Sequence, residues 1–402
     1  MKKLVSTILA LALVISFAPA ATLSFAAGTP SGWAVGEMNE ANLEGLLTPN
    51  AQKDFQRVLT RTEFCELVVA LIERTLGSEL PLPASNPFTD TSNIDVQKAS
   101  LYGGSSPVVE GVGGGLFSPN NNVSREQIVT MMIRALDRLS IDTERALLPA
   151  QPAASLPFKD NSNISAWAAD SLKKAYANNI IKGNDLGNFN PRAHIKSEEC
   201  VAIVRRSNST SQEILNAGLS PTQLAEKTER DINIGFAYGD TEQGVSQNIL
   251  LPTSGAGGAA ISWQSSNPDV IAISGSTGIV KTAGMTAQTT LIATINASGV
   301  TRTKQFVLHT TPYAGDERIM QNALQALELE YLNSGDTADS VTGRVFLPDS
   351  SLGARVTWSS SAPSVVNAST GAVTLPSDSS TVTLTATVSY NSLTRTKAFT
   401  LT

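Results

Sequence analysis

The sequence predicts a multidomain chain with an all-α first half and a second half built of two all-β sandwich domains. Three observations support this prediction. The first half repeats one short pattern three times. The composition shifts toward Thr, Val, Ser and Gly after residue 210, and the second half is itself duplicated at an offset of 93–96 residues. Internal repeats of this kind indicate the architecture before any single residue is interpreted.

The repeated pattern of the first half combines three elements in a constant order. Phe-x-Asp occurs at residues 88–90 and 158–160, and Phe-x-Pro occurs at 117–119 and 189–191. A helix-opening signal occurs at 59–63, 123–127 and 195–199. Gly111 and Gly183 each precede Phe-x-Pro by six residues, where glycine suits a left-handed turn or helix end. We expect a second helix after each opening signal, over residues 64–76, 128–139 and 200–206.

Charge and hydropathy indicate an exported protein. The net charge is −6 and the pI about 5.2, and no basic stripe suits nucleic acid. Residues 1–27 have the features of a secretion signal, because Lys2 and Lys3 precede an apolar run at residues 4–17. A retained membrane anchor is the alternative, but the run is shorter than the roughly 20 residues that span a bilayer. We therefore expect secretion and no membrane span.

Few residues suit catalysis or metal binding. Cys65 and Cys200 fall at apolar helix positions, so we expect two buried thiols, with a disulfide outside the cell as the alternative. There is no Cys-x-x-Cys, and the acidic residues do not form a calcium loop. His194 and His309 lack a nucleophile or metalloprotease motif, and we expect both at the surface. The sequence predicts no catalytic site, no metal site and no cofactor.

The helix-opening signals combine a cap with an arginine. Two capping boxes are present, Thr60 with Glu63 and Ser124 with Gln127. Arg61 and Arg125 then occupy the first helical position, beside backbone amides that we expect to be free and the positive end of the helix dipole. Since arginine can bind a carboxylate through two parallel hydrogen bonds, the sequence predicts anion sites there. The alternative is a solvated arginine beside an ordinary cap.

The third opening signal departs from the other two. Lys196 replaces the capping hydroxyl, and Ser197 replaces the arginine. We expect this copy to have lost its cap and its guanidinium, with Lys196 keeping one positive charge nearby. An anion site there should be weaker or absent, and the copy would mainly complete the helical bundle.

These elements together resemble the S-layer homology domain, whose pattern runs from Phe-x-Asp through Trp-Ala, Gly and Phe-x-Pro to Ile-Thr-Arg-Ala-Glu. The resemblance places copies at residues 31–80, 81–147 and 148–208. It implies a pseudo-threefold helical bundle whose grooves bind pyruvylated secondary cell-wall polymer, which is linked to the peptidoglycan of Gram-positive bacteria.

The resemblance also implies which residues contact the polymer. The ligand-binding arginines would be Arg61 and Arg125, with loop amides near Gly111 and Gly183. Trp33 and Trp167 could pack against a sugar face. Each also begins a run of apolar positions that fits one helix face, so we expect both tryptophans in the core more readily than at a ligand. Lys196 would contribute charge in the third copy.

The duplicated second half resembles small bacterial immunoglobulin-like domains. Leu-Pro, Trp-x-Ser-Ser-x-Pro and Gly-x-Val recur in both copies, which we place at residues 211–312 and 313–402. We expect Trp263 and Trp358 in the sandwich cores. Each copy should begin with a short helix, at residues 221–229 and 316–327. Residues 381–388 alternate strictly between Thr and apolar positions, as in a half-buried strand.

The preferred interpretation is a non-enzymatic surface protein anchored non-covalently to the cell wall. Its immunoglobulin-like domains would be spacers or S-layer assembly modules, with other copies of the chain as partners in a surface lattice. The alternative is a wall-anchored adhesin whose immunoglobulin-like domains bind a glycan or protein. A wall-anchored enzyme is a third possibility, disfavoured because the sequence offers few catalytic groups.

Overall fold

A computed structural model describes residues 28–83, 85–282, 284–313, 315–333 and 335–402. The secretion signal expected at residues 1–27 lies outside the described residues. Helices dominate before residue 231 and strands dominate after it, as the sequence predicts.

The helices of the first half form one bundle with a continuous apolar core. Their bounds, with the two later helices included, are α1 (Val35–Leu43), α2 (Pro49–Lys53), α3 (Arg61–Leu76), α4 (Ile94–Leu101), α5 (Arg125–Asp142), α6 (Ala169–Ala177), α7 (Ser197–Asn216), α8 (Pro221–Asp231) and α9 (Gly315–Ala326). The long helices α3, α5 and α7 pack against one another. α7 continues ten residues beyond the end expected at Arg206, because Ser207, Asn208 and Ser211 are buried against the bundle.

The starts of the three long helices are linked in a closed ring of backbone hydrogen bonds. Each first helical amide donates to a carbonyl in the loop before the next helix of the ring. The three bonds run from Arg61 N to Asn121 O (2.9 Å), from Arg125 N to Ala193 O (3.0 Å) and from Ser197 N to Arg57 O (2.9 Å). The first helical turns are therefore fixed by neighbouring segments, not by water.

The second half contains two small sandwiches. The strands of the first are β1 (Ile249–Leu250), β2 (Ala260–Ser265), β3 (Ile271–Ser274), β4 (Thr277–Val280), β5 (Gln288–Ala297) and β6 (Val300–His309), in sheets of order β1-β4-β3 and β2-β5-β6. Those of the second are β7 (Glu330–Tyr331), β8 (Val345–Phe346), β9 (Ser350–Ser351), β10 (Ala354–Ser360), β11 (Val382–Tyr390) and β12 (Leu393–Leu401), in sheets of order β12-β11-β10-β9 and β7-β8. All these pairings are antiparallel.

Each sandwich is partly covered by its own helix. α8 packs on β5 and β6, and α9 packs on β11 and β12. Both helices lie where the sequence predicts them. The units are therefore not purely β, since a helix buries apolar sheet surface that a further strand would otherwise cover.

The repeated motifs of the second half meet in the sandwich cores. The indole nitrogen of Trp263 donates to Pro252 O (2.8 Å), and that of Trp358 donates to Pro348 O (2.7 Å). Both indoles also pack on a phenylalanine ring, with centroids 5.5 Å apart. Trp263 is buried as predicted, whereas Trp358 is half-buried and packs against the core, and the Leu-Pro motif supplies the acceptor that each indole N–H requires.

The segment after α8 connects the bundle to both sandwiches. Asn42 Nδ2 of the bundle donates to Phe236 O (2.8 Å). Tyr238 is buried in the core of the second sandwich. Arg318 of α9 donates to Tyr238 O (2.8 Å) and lies 3.4 Å from Asp240 Oδ1, and both members of this ion pair are buried. The three units thus pack around one shared segment.

Carboxyl groups are buried where the second sandwich meets the bundle. Asn93 of the bundle lies beside Asp349 of the sandwich, and Glu66 of α3 accepts two bonds from Asn50 Nδ2 (2.9 and 3.1 Å). Burial, together with repulsion from Asp95, raises the pKa of Glu66 to about 8. Burial raises the pKa of Asp95 to about 7. Ionisation of these groups therefore opposes the folded arrangement.

We expect Glu66 to make the protein less stable as the pH rises. Its pKa in the folded chain is above its ordinary value near 4.3. The folded state thus binds more protons than the unfolded state between about pH 4 and pH 8, and stability falls across that window. In urea unfolding, Glu66→Gln should match the parent near about pH 5 and exceed it near about pH 9, by roughly 1–4 kcal/mol.

The control for this experiment is Glu79→Gln, which changes an exposed carboxylate of the same bundle. This variant should have nearly the stability of the parent at both pH values, because the Glu79 side chain is exposed. A Glu66→Gln difference that also stayed constant would show that this carboxyl ionises as freely in the folded chain as in the unfolded chain.

Candidate functional site

The predicted capping boxes open α3 and α5. Thr60 Oγ1 accepts from Glu63 N (3.3 Å), and the Glu63 carboxylate accepts from Thr60 N (2.8 Å). Ser124 and Gln127 make the same exchange at 3.4 and 2.9 Å. Both boxes are confirmed, and they fix the first turn that carries each arginine.

The third opening keeps half of its box. The Glu199 carboxylate accepts from Lys196 N (3.0 Å), although the lysine ammonium cannot accept the return bond. The expectation that this cap is lost was therefore wrong for the glutamate half. Lys196 Nζ instead donates to Gln56 Oε1 (3.0 Å), so its charge lies against the first copy.

The backbone amides at the helix starts are not free, which corrects the expected anion site. Arg61 N and Arg125 N are bonded within the ring described above. The next amides are also occupied, because Thr62 N donates to Pro119 O (3.2 Å) and Glu126 N donates to Pro191 O (2.9 Å). An anion at these positions would therefore have to be bound by the guanidinium groups.

Arg61 and Arg125 each clamp the following copy. Arg61 Nε donates to Phe117 O (2.9 Å), and its Cζ lies 4.4 Å from the centre of the Phe117 ring. Arg61 Nη2 also donates to Glu110 O (2.7 Å). Arg125 Nε makes the same bond to Phe189 O (2.8 Å), with its Cζ 5.1 Å from that ring. Both arginines are therefore oriented cations at the boundary between two copies, not freely solvated side chains.

The aspartate of Phe-x-Asp fixes the loop that each arginine clamps. Asp90 accepts from the amides of Phe117 and Ser118, both at 2.8 Å. Asp160 makes the corresponding two bonds in the third copy, at 2.8 and 2.7 Å. Slight desolvation opposes ionisation of the exposed Asp90, but the hydrogen bonds from the two amides outweigh it and lower its pKa. The middle residues of the two Phe-x-Pro motifs have φ of 60° and 57°, so each loop makes a left-handed turn held by the carboxylate.

Gly111 and Gly183 are needed for space, not for a left-handed backbone. Neither is among the described residues with positive φ. A Cβ at Gly111 would lie 2.6 Å from Leu116 O and 2.8 Å from the Phe88 ring, and one at Gly183 would lie 3.2 Å from the Phe158 ring. The expected left-handed role was wrong. The glycines instead let the loop pass over the phenylalanine of Phe-x-Asp.

The groove between the third and first copies is filled by the chain itself. Ser197 is fully buried and donates to Ala51 O (2.8 Å). Arg57 forms a two-point ion pair with Glu63 (2.6 and 2.8 Å), and the Glu198 carboxylate binds both the amide and the hydroxyl of Ser31 (2.7 and 2.8 Å). These contacts leave that groove without an arginine directed at a ligand.

The structure exposes Trp33 and Trp167 by 55% and 57%, so the preference for a core position was wrong. Trp167 follows Ser165, whose amide and hydroxyl are held by Glu126 at the start of α5 (3.0 and 2.8 Å). Trp33 likewise follows Ser31, whose amide and hydroxyl are held by Glu198 at the start of α7. Exposed indoles beside helix starts are compatible with contact to a sugar face.

Comparison with known families finds matches in both halves of the chain. A family model described as S-layer homology domain matches residues 106–129 and 157–199. A model described as atrophied bacterial Ig domain matches residues 225–312 and 320–402. The chain contains S-layer homology and atrophied bacterial Ig domains. The matched segments include Gly111, Arg125, Trp167, Gly183 and Lys196, whereas Arg61 and Trp33 lie outside them.

Several relatives share part of this organisation. They include the endoglucanase of Bacillus sp. (strain KSM-635), 31% identical over 149 residues, which are 36% of this chain and 14% of that protein. The middle cell wall protein of Brevibacillus brevis is 33% identical over 144 residues (34% and 14%), and the surface-layer 125 kDa protein of Lysinibacillus sphaericus is 24% identical over 229 residues (55% and 18%). The chain spans less than a fifth of the length of each.

The remaining candidate residues show no arrangement for chemistry. Cys65 and Cys200 are buried free thiols, as predicted, and burial raises the pKa of both. His194 is exposed, whereas Nδ1 of His309 is buried, which corrects the solvent-facing expectation. Within the described ranges, no cluster of His, Cys, Asp or Glu could hold a metal ion, and no helix is both long and apolar enough to cross a membrane.

We expect Asp160→Asn to destabilise the S-layer homology region by about 1–3 kcal/mol, because one loop amide would lose its acceptor and face an NH₂ group. Chemical unfolding monitored by circular dichroism would measure this loss. Asp185→Asn is the matched control, because Asp185 is an exposed residue of the loop between Gly183 and Phe189. This variant should have little effect on stability. Equal behaviour of the two variants would contradict the structural role of Asp160.

Proposed function

We propose that this chain is a non-enzymatic, secreted cell-surface protein of a Gram-positive bacterium, anchored non-covalently to the wall by its S-layer homology region. The observation that carries the proposal is the oriented arginine at the groove between the first and second copies. Its position is fixed by the capping box, the loop carbonyls and the Phe117 ring. The ligand would be pyruvylated secondary cell-wall polymer linked to peptidoglycan.

The chemistry of Arg61 suits a carboxylate on a sugar. A guanidinium has five N–H donors, and Arg61 directs two to protein carbonyls, which leaves three for a ligand. Burial lowers the pKa of Arg61 from its ordinary value, but arginine stays charged at physiological pH. The chain as a whole is acidic, so attraction to an acidic polymer would come from this local charge.

The ring of backbone bonds supports a pseudo-threefold bundle as the scaffold. The opening signals of α3, α5 and α7 are bonded to one another in the same way, although only parts of the second and third copies lie within the family match. We place the copies at residues 31–80, 81–147 and 148–208. The first copy would supply Arg61 and would close the ring against the third.

The atrophied Ig domains, placed at residues 211–312 and 313–402, would hold the wall-binding region in a defined orientation, as spacers or as modules of an S-layer lattice. Support comes from the buried Arg318–Asp240 pair and from the shared segment between the units. Several relatives are named as surface-layer or cell wall proteins. The relatives named as glucanases match only 36–39% of this chain, so no glucanase activity is proposed for it.

The anchor can be tested by co-sedimentation of the full chain with purified cell-wall sacculi. Sacculi should retain the parent protein, and sacculi stripped of their secondary polymer should not. Arg61→Ala should weaken retention at least tenfold, because it removes the oriented cation, which corresponds to about 1.4 kcal/mol or more. Ser197→Ala, at the equivalent position of the third copy, should leave retention nearly unchanged.

Equal retention by stripped and native sacculi would refute polymer binding. Equal weakening by Arg61→Ala and Ser197→Ala would indicate general disruption of the bundle instead of loss of a ligand contact. Thermal unfolding of both variants separates these causes, since only general disruption of the bundle requires a large loss of stability.

A further inference from the structure

The three long helices differ in charge at their third position. That residue is Glu63 in α3, Gln127 in α5 and Glu199 in α7. It lies in the first helical turn, whose amides are bonded to the neighbouring copy. Its side chain can therefore come close to the arginine of the copy that precedes it in the ring.

Glu199 approaches Arg125 in this way. Arg125 Nη1 lies 2.8 Å from Glu199 Oε1, and the two side chains are only 14% and 31% exposed. The contact is an ion pair and not a well-aligned hydrogen bond. Because the pair is partly shielded from solvent, the charge of Arg125 is largely compensated before any ligand arrives.

Arg61 has no such partner among the residues that the structure describes. Its hydrogen bonds go to two backbone carbonyls, and the residue equivalent to Glu199 is the neutral Gln127. The nearby Asp90 has its counterpart in Asp160, so this charge is common to both grooves. The uncompensated guanidinium is thus a property of the first groove.

Two exposed charges would favour anion binding at the second groove over the first. Glu110 lies beside the first groove, and Lys182 holds the equivalent loop position in the third copy. The Glu110 side chain is 64% exposed and lies 3.8 Å from Arg134, and Lys182 is also exposed. Solvent screens exposed charges far more than it screens the close Arg125–Glu199 pair.

We infer that the third helical residue decides which groove accepts an anionic sugar, and that the groove at Arg61 is the principal site. Glu199 holds Arg125 in an internal ion pair, so the second groove binds a carboxylate more weakly. The groove of the third copy is closed by Ser197 and by the Arg57–Glu63 pair. This inference rests on the proposed wall-polymer function and names the specificity-determining positions as Gln127 and Glu199.

A reciprocal exchange of charge tests the inference. Soluble polymer released from sacculi would be titrated calorimetrically into the full chain, with pyruvyl-free polymer as the blank. Gln127→Glu should weaken binding at least tenfold by creating an ion pair with Arg61. Glu199→Gln should free Arg125 and add a second site of comparable affinity. Both substitutions keep the side-chain oxygen that accepts the cap amide, so neither should disturb its helix start.

Arg125→Ala is the structural control, because it removes a carbonyl bond and a ring contact equivalent to those of Arg61. It should lower polymer binding much less than Arg61→Ala, which should lower it at least tenfold, because the second groove is the weaker site. Equal losses from the two alanine variants, or unchanged binding by both charge exchanges, would overturn the inference. In those cases the proposed function stands as long as the parent still binds pyruvylated polymer. A parent that binds no polymer refutes both.

Discussion

The helical half depends on hydrogen bonds that pass between copies at the helix starts. The first amides of an α-helix have no partner within their own helix. Here two of them in each long helix donate to carbonyls of another copy, as Arg61 N and Thr62 N do to Asn121 and Pro119. A single copy would expose these donors as well as its apolar face. We therefore expect the copies to be stable only together, as in other repeat architectures.

The same constraint explains most of the motif pattern that is repeated in the helical half. The acceptor loop must be held rigid, and Asp90 does this through two amides while Gly111 gives the loop room to cross Phe88. Arg61 then bonds the carbonyl that this loop presents. The scaffold and the candidate site consequently share residues. A loss of binding in a variant can therefore be interpreted only if the stability of a variant at an equivalent position is also measured.

Local features of this architecture could be predicted from the sequence, and long-range ones could not. Capping boxes, first-turn arginines and the core tryptophans of the sandwiches depend on spacing and periodicity. The occupied amides and the Arg125–Glu199 pair join residues at least 57 positions apart. The end of α7 has weak helix formers such as Ser207 and Asn208, and burial in the bundle overrides their propensity. Trp33 and Trp167 have core-like spacing, but the packing of other copies leaves them exposed.

Because the ring bonds are formed by backbone groups, they do not depend on which side chain follows the cap. Ser197 donates its amide to Arg57 O at 2.9 Å, the same distance as the equivalent bond of Arg61. Serine in place of arginine at position 197 therefore leaves the ring bond intact, although the third copy then lacks a cation at this position. The bundle can lose or alter a binding groove and still fold, whereas a proline at position 61 or 125 would break a ring bond. Backbone bonds of all three copies hold the architecture, whereas the proposed ligand binding would depend on a few side chains of one or two copies.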